Sequence, residues 1–206
     1  MHVLKLLLAF VALLTVGFIP VLSQDKKEGE GGGDIEEWKK ANEPNENHKL
    51  LEKMAGNWDA EVTFIFDPTK EPEVNKTTSK KEMVLGGRFL HDVYEIKTGA
   101  MPHTGRGYMG YNNRTKKFQM MHMSTVDTAM EVEDGEYDAK AKTIIFKSAL
   151  KEMEWGGQKI KYSTRMVYTL ESDDKHSFSI FTTYPDMKEM EGKEIEEVKI
   201  VYTRKK

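Results

Sequence analysis

From Trp58 to Asp67 the chain alternates, and this constrains its fold more than any other feature. Trp58, Ala60, Val62, Phe64 and Phe66 fall on one face. Asp59, Glu61, Thr63 and Asp67 fall on the other, with Ile65 the one apolar exception. A period of two means an extended backbone with one buried side, because successive side chains of a strand point to opposite faces. Similar runs follow at Val74–Leu85, Arg88–Lys97, Gly105–Tyr111, Phe118–Val126, Ala129–Tyr137, Thr143–Leu150, Lys159–Leu170, Ser177–Tyr184 and Glu194–Thr203. Turn residues separate them: Gly86-Gly87, Asn112-Asn113-Arg114, Asp138-Ala139-Lys140, Gly156-Gly157, Ser172-Asp173-Asp174 and Glu191-Gly192. No helical pattern lies between the runs, so parallel βαβ units are excluded. About ten strands joined by short connections predict an all-β, antiparallel up-and-down barrel, which also removes exposed sheet edges. A sandwich is the rival.

Upstream of the strands the pattern changes. Lys5 precedes an apolar run from Leu6 to Ile19, followed by Pro20 and Ser23. This is the form of a signal peptide over 1–23, cut near Ser23/Gln24. The rival is an uncleaved anchor, since Val3–Leu22 could just span a bilayer. Cleavage predicts a secreted or periplasmic protein with no stable membrane insertion. Residues 24–33 are charged and Gly-rich, which predicts a flexible tether ahead of a 34–206 domain. Asp34 and Glu37 fit a capping box for a short helix Ile35–Ala41. A second helix is expected over about Asn45–Met54, with Pro44 in its first turn, Leu50, Leu51 and Met54 on its apolar face, and Gly56 ending it.

The 206 residues carry 31 Lys and Arg against 34 Asp and Glu, with the signs interspersed. A duplex or single strand needs a cationic face, so nucleic acid is not an expected partner. There is no Cys, which removes disulfides, thiol catalysis and thiolate metal sites. Thirteen Met either fill core gaps or line an adaptable cavity.

Gly56-Asn57-Trp58, between a short helix and the first strand, resembles the calycin superfamily of lipocalins and fatty-acid-binding proteins. That resemblance implies that Trp58 closes one barrel end and that Arg204, near the last strand, packs across it. A guanidinium stacks well on an indole and bonds nearby carbonyls. The stretches from His48 to Trp58, Met83 to Leu90, Gly105 to Asn112 and Val201 to Arg204 resemble the family of domain of unknown function 1579. The resemblance runs from about Trp38 to the end and implies a calycin-like barrel, with no activity attached. His122 departs from the family pattern, which tends to carry Trp there.

No HExxH, Walker loop or Gly-x-Ser-x-Gly elbow is present, and no cofactor or metal is expected. Gly105-Arg106-Gly107-Tyr108-Met109-Gly110 matches GxGxxG but lies inside a strand. It therefore reads as glycines allowing strand curvature or close backbone approach, and not as a dinucleotide loop. His91 and Asp92 are adjacent, so they point to opposite faces of a strand. Phe118, Met120, His122 and Ser124 share a mostly apolar face, so His122 is expected inside, either as a hydrogen-bonded core residue or as a ligand to a haem or a polar group. Arg88, Leu90, Asp92, Tyr94 and Ile96 share a face, as do Arg106 and Tyr108. If these faces point inward, an Arg beside a Tyr could hold the carboxylate end of an amphipathic molecule. The alternatives are salt bridges or a place at the rim.

The leading expectation is therefore non-enzymatic binding of a small apolar or amphipathic molecule inside the barrel. Its candidate ligand residues are Arg88, Asp92, Tyr94, Arg106, Tyr108 and His122. A fully packed interaction module and a haem-binding barrel built on His122 are the alternatives.

Overall fold

The structure, a computed structural model, describes residues 32–187 and 192–206. The expected export segment 1–23 and the tether to residue 31 lie outside the described residues. Helix α1 spans Gly32–Ala41, so it begins inside the expected tether and Asp34 is an internal helical residue, not the cap. It belongs largely to an N-terminal unit that ends at Lys39.

Helix α2 spans Glu46–Glu52, shorter at both ends than expected, and Pro44 precedes its cap instead of opening its first turn. Asn45 is the N-cap. Its side chain accepts from the Asn47 N–H at 3.0 Å, and His48 Nδ1 accepts from the Asn45 N–H at 3.0 Å. His48 thus takes the place that Glu or Gln fills in the usual capping box. Leu51 and Met54 are fully buried and seal one end of the barrel. Asn113, in the turn after the fourth strand, donates to the carbonyls of Ala41 and Glu43 and accepts from Asn45. These bonds tie the helix entry to the barrel end.

Eleven strands follow: β1 Gly56–Phe64, β2 Glu73–Val84, β3 Phe89–Ile96, β4 His103–Asn112, β5 Lys117–Ser124, β6 Glu131–Asp138, β7 Thr143–Lys147, β8 Lys151–Trp155, β9 Gln158–Ser172, β10 Lys175–Thr183 and β11 Glu194–Arg204. All pairings are antiparallel. The ring runs β1 to β7, then β9, β10 and β11, and closes from β11 back to β1. It is a closed ten-stranded barrel, with β8 paired to the first five residues of β9 and, among the described residues, to no second strand. The sequence pattern missed β8, because Lys-Glu-Met-Glu-Trp is too short and polar to register as a strand.

The inner face follows from alternation. Trp58, Ala60, Val62 and Phe64 of β1 are buried while their neighbours face water. The sealed half is apolar, with Met109, Phe118, Met120, Ile144, Phe146 and Met166 around Trp58. Trp58 is 0% exposed, and its Nε1 donates to the Met54 carbonyl at 2.9 Å. Arg204 pairs with it across the barrel seam and lays its guanidinium 4.2 Å from the indole centre. The same guanidinium donates to the carbonyls of Lys53, Ala55 and Asp173 at 2.8–2.9 Å. Gly56, at φ 138°, leaves the space that Arg204 occupies; a Cβ there would collide with the guanidinium. That combination fixes the α2–β1 junction, the last strand and the β9–β10 turn to one cation.

Candidate functional site

Pairing register brings one polar row across the inner wall. Lys81 opposes Asp92, Asp92 opposes Gly107, Gly107 opposes His122, and His122 opposes Glu131. The neighbouring row runs Ser79, Tyr94, Gly105 and Ser124. Tyr94 is on β3 and His122 on β5, with β4 between them. They meet because β4 presents Gly105 to the interior at that level. A Cβ on Gly105 would collide with the Tyr94 phenol. The ring therefore crosses β4, its hydroxyl 2.9 Å from His122 Nε2 and 3.5 Å from His103 Nε2. The Gly-x-Gly spacing serves this close approach.

Burial raises the Tyr94 phenol to about 12, helped by the Asp92 charge. His122 is pushed down by burial first and by His103 second, against the pull of Asp92 and Glu131. Both groups are thus neutral near pH 7, a hydrogen-bonding pair with no formal charge.

Deeper in the barrel sits a charged cluster. The Lys81 side chain is 1% exposed. Its ammonium lies 3.5 Å from Asp92, donates to His176 Nε2 at 3.0 Å and stands 3.7 Å above the Tyr202 ring. Ser79 Oγ donates to Asp92 at 2.6 Å. His176 is wedged edge-on against Trp58 and stacked on Tyr202, with centroids 4.2 and 4.4 Å away. Burial, then the charges of Lys81 and Arg204, push His176 down to about 2, so it is the neutral acceptor for Lys81. Burial also lowers the Lys81 amine, opposed by Asp92. An amine so placed needs every partner it has.

Toward the other end of the barrel the inward side chains differ: Val62, Phe64, Ile96 and Thr182 are buried, and others are only half-buried. Tyr94, His122, Ser124, Tyr162 and Tyr184 all keep partial exposure. There Lys151 bridges Glu131 and Glu133, and Glu197 accepts from Thr182 and Tyr184 at 2.6 and 2.5 Å. Two clefts lie elsewhere. One of about 600 Å³ sits at the rim beside Ile65, Pro68, Pro72 and Ile195, and one of about 220 Å³ lies on the outer wall beside Ser148, Arg165 and Glu194. Neither is lined by Tyr94 or His122. Among the described residues, no three His, Cys, Asp or Glu side chains converge as metal ligands do.

The residues singled out from the sequence thus separate. Asp92, Tyr94 and His122 share the interior. Arg106 and Tyr108 occupy the alternate positions of β4 and face outward, where Tyr108 stacks on His91 at 4.5 Å. Arg88 lies in the turn at the sealed end and donates to the carbonyls of Leu85 and Gly86. No Arg of this set reaches the interior, so the carboxylate clamp imagined for them has no place there. Among the described residues, Lys81 and Lys151 are cations on the inner face, both already paired with carboxylates. Lys81 escaped notice because Asn75, Thr77, Ser79 and Lys81 alternate with residues just as polar. His176 lay one residue before the expected start of its strand.

A family model described as "Protein of unknown function (DUF1579)" matches residues 43–204. No curated protein matches the chain. Among solved structures, Rv2717c from M. tuberculosis is similar over 80% of this chain and 100% of that one, at 14% identity and a TM-score of 0.49. A protein of unknown function from the DUF3598 family of Nostoc punctiforme PCC 73102 is similar over 75% of this chain, at 8% identity and a TM-score of 0.30. The chain spans about half the length of the latter, 49%.

Proposed function

The chain belongs to the DUF1579 family of proteins of unknown function, and from that premise we propose that it is an exported, non-enzymatic binding protein that holds a small amphipathic molecule in the half of the barrel away from α2. One observation carries this reading. Tyr94, His122, Ser124, Tyr162 and Tyr184 point at the barrel axis there and are only half-buried, beside a floor of buried Val62, Phe64 and Ile96. Inward residues that still touch solvent mean space inside the wall, and a ten-stranded ring is wide enough to leave some.

The chemistry of the lining selects the ligand. Its apolar end would lie on Val62, Phe64, Ile96 and Ile180. Its polar end would meet the neutral Tyr94–His122 pair, which both donates and accepts. A hydroxyl or amide suits that pair better than a carboxylate, because Lys81 and Lys151 are already neutralised and Asp92 and Glu131 stand close by. Haem ligation by His122 would require its Nε2 to leave the Tyr94 hydroxyl.

The test is displacement of the neutral fluorophore N-phenyl-1-naphthylamine by 1-decanol and by decanoate, beside native mass spectrometry of the purified protein. Decanol should compete better than decanoate. Tyr94→Phe should weaken it about 5-fold, the worth of one hydrogen bond. No uptake of probe and no co-purifying molecule would mean a packed barrel that works through its surface.

A further inference from the structure

The barrel wall is split at one place. β6 joins β7 only through Gly135–Asp138, paired with Thr143–Phe146. After Lys147 the chain leaves this ladder. The Ser148 N–H donates to the Thr164 carbonyl at 2.9 Å, and the Thr164 N–H donates back to Ser148 Oγ at 2.8 Å. Residues 148–150 thus bulge toward β9, and β8 resumes pairing on β9 alone. Among the described residues, Glu131–Asp134 and β8 are joined by side chains and not by a backbone ladder. Those side chains are Lys151 from β8 and Glu131 and Glu133 from β6, the ammonium 2.8 Å from Glu133 and closer to Glu131.

We propose that this split is the doorway to the interior and that Lys151, clasped by Glu131 and Glu133, is its latch; the proposal rests on the binding reading above. Three observations converge on it. Glu131 opposes His122 in the β5–β6 register and Tyr162 opposes Lys151 in the β8–β9 register, so the latch lies on the same inner face as the candidate ligand residues. The lips are apolar and exposed: Val132 and Leu150 are each 59% accessible, with Met130 at 58%. An amphipathic molecule entering apolar end first would meet Val132 and Leu150 at the lips of the split. Finally, the joint is weaker than the rest of the wall. Two side-chain ion pairs, with Lys151 at 29%, Glu131 at 35% and Glu133 at 9% exposure, open more readily than a row of backbone hydrogen bonds. Burial by itself would lower the Lys151 amine, yet the two carboxylates outweigh it and hold it charged, so the latch is set at neutral pH.

The experiment times entry and exit of N-phenyl-1-naphthylamine by stopped flow. Lys151→Met removes the latch and keeps the chain length. Entry and exit should both accelerate about 5-fold, with the equilibrium affinity held within about 2-fold. The chain has no Cys, so Glu131→Cys combined with Lys151→Cys introduces its only thiols. Bridged by 1,2-ethanediyl bismethanethiosulfonate, which spans the gap that the longer side chains fill, this variant should take up probe at least about 10-fold more slowly, and reduction should restore the rate. A cross-linked protein that fills at the wild-type rate overturns the doorway. If no form takes the probe, the binding reading falls, and amide exchange then judges the latch alone. Lys151→Met should speed exchange in 131–134 and leave 135–138 unchanged; equal exchange in both variants overturns it.

Discussion

Asp92→Asn removes the counter-charge of Lys81 while keeping the side chain's shape, and its consequence can be worked out from the structure. The nearest neighbours of the Lys81 ammonium are Asp92, the neutral His176 and the Tyr202 ring, with the Tyr168 ring at 5.8 Å. Asp92 is the only anion among them. Breaking a buried pair from one side leaves an uncompensated charge, at about 3–5 kcal/mol. For a domain of this size each kcal/mol moves Tm by about 2–4 °C, so the variant should melt about 6–20 °C lower. The pH dependence carries a second signature. Folding already lowers the Lys81 pKa, so between that value and 10.5 the unfolded chain binds more protons and stability rises with pH. Asp92 is what holds the folded value up. Without it, the rising limb should extend to lower pH, with a slope approaching about 1.4 kcal/mol per pH unit. Urea denaturation at pH 7, 8, 9 and 10 measures both. Adding Lys81→Met should recover most of the loss, since the orphaned charge goes with it. A variant within about 1 kcal/mol of wild type, with flat stability from pH 7 to 10, would refute the claim that Lys81 is a buried cation held by Asp92.

Arg204→Ala should cost about 2–4 kcal/mol by urea denaturation, because it takes away the indole stacking and leaves the carbonyls of Lys53, Ala55 and Asp173 short of a donor. His176, held neutral down to about pH 2, is charged in the unfolded chain below about 6.5, so it contributes an acid limb on which stability falls as pH drops. His176→Gln should make that limb shallower between pH 6 and 4 by about 1 kcal/mol per unit. Gly105→Ala should drive the Tyr94 ring off His122, and the His122 ring protons in an NMR spectrum should shift as they do in Tyr94→Phe.

The fold was legible because alternation survives wherever one face is greasy. Trp58–Phe64 and Phe118–Met120 announce their inner faces outright. Ten runs with short joints point to a barrel with a sandwich as its rival, and the pairing of β11 with β1 decides for the closed ring. The polar interior was much less legible. On β2 the inward positions Asn75, Ser79 and Lys81 look like a solvated face, and only pairing with Asp92 and Ser124's row reveals them as internal. On β4 the in–out phase is hard to assign because the inner positions are glycines: Gly105 and Gly107 carry no side chain to mark them as buried. Arg106 and Tyr108 were the visible residues, and they face outward. The Tyr94–His122 contact spans two strands and exists only because β4 is bare at that point. β8 left no signal, since its apolar content is confined to Met153 and Trp155.

The chain carries its own reporters for the inside and the outside of the wall. Ile96 and Ile180 point into the half of the barrel away from α2, while Ile145 on β7 points outward between the buried Ile144 and Phe146. With ¹³C-methyl isoleucine, titration of the protein with 1-decanol should move the Ile96 and Ile180 resonances saturably and leave Ile145 in place. A shift confined to Ile145, or no shift in any of the three, would contradict a ligand held inside the ring.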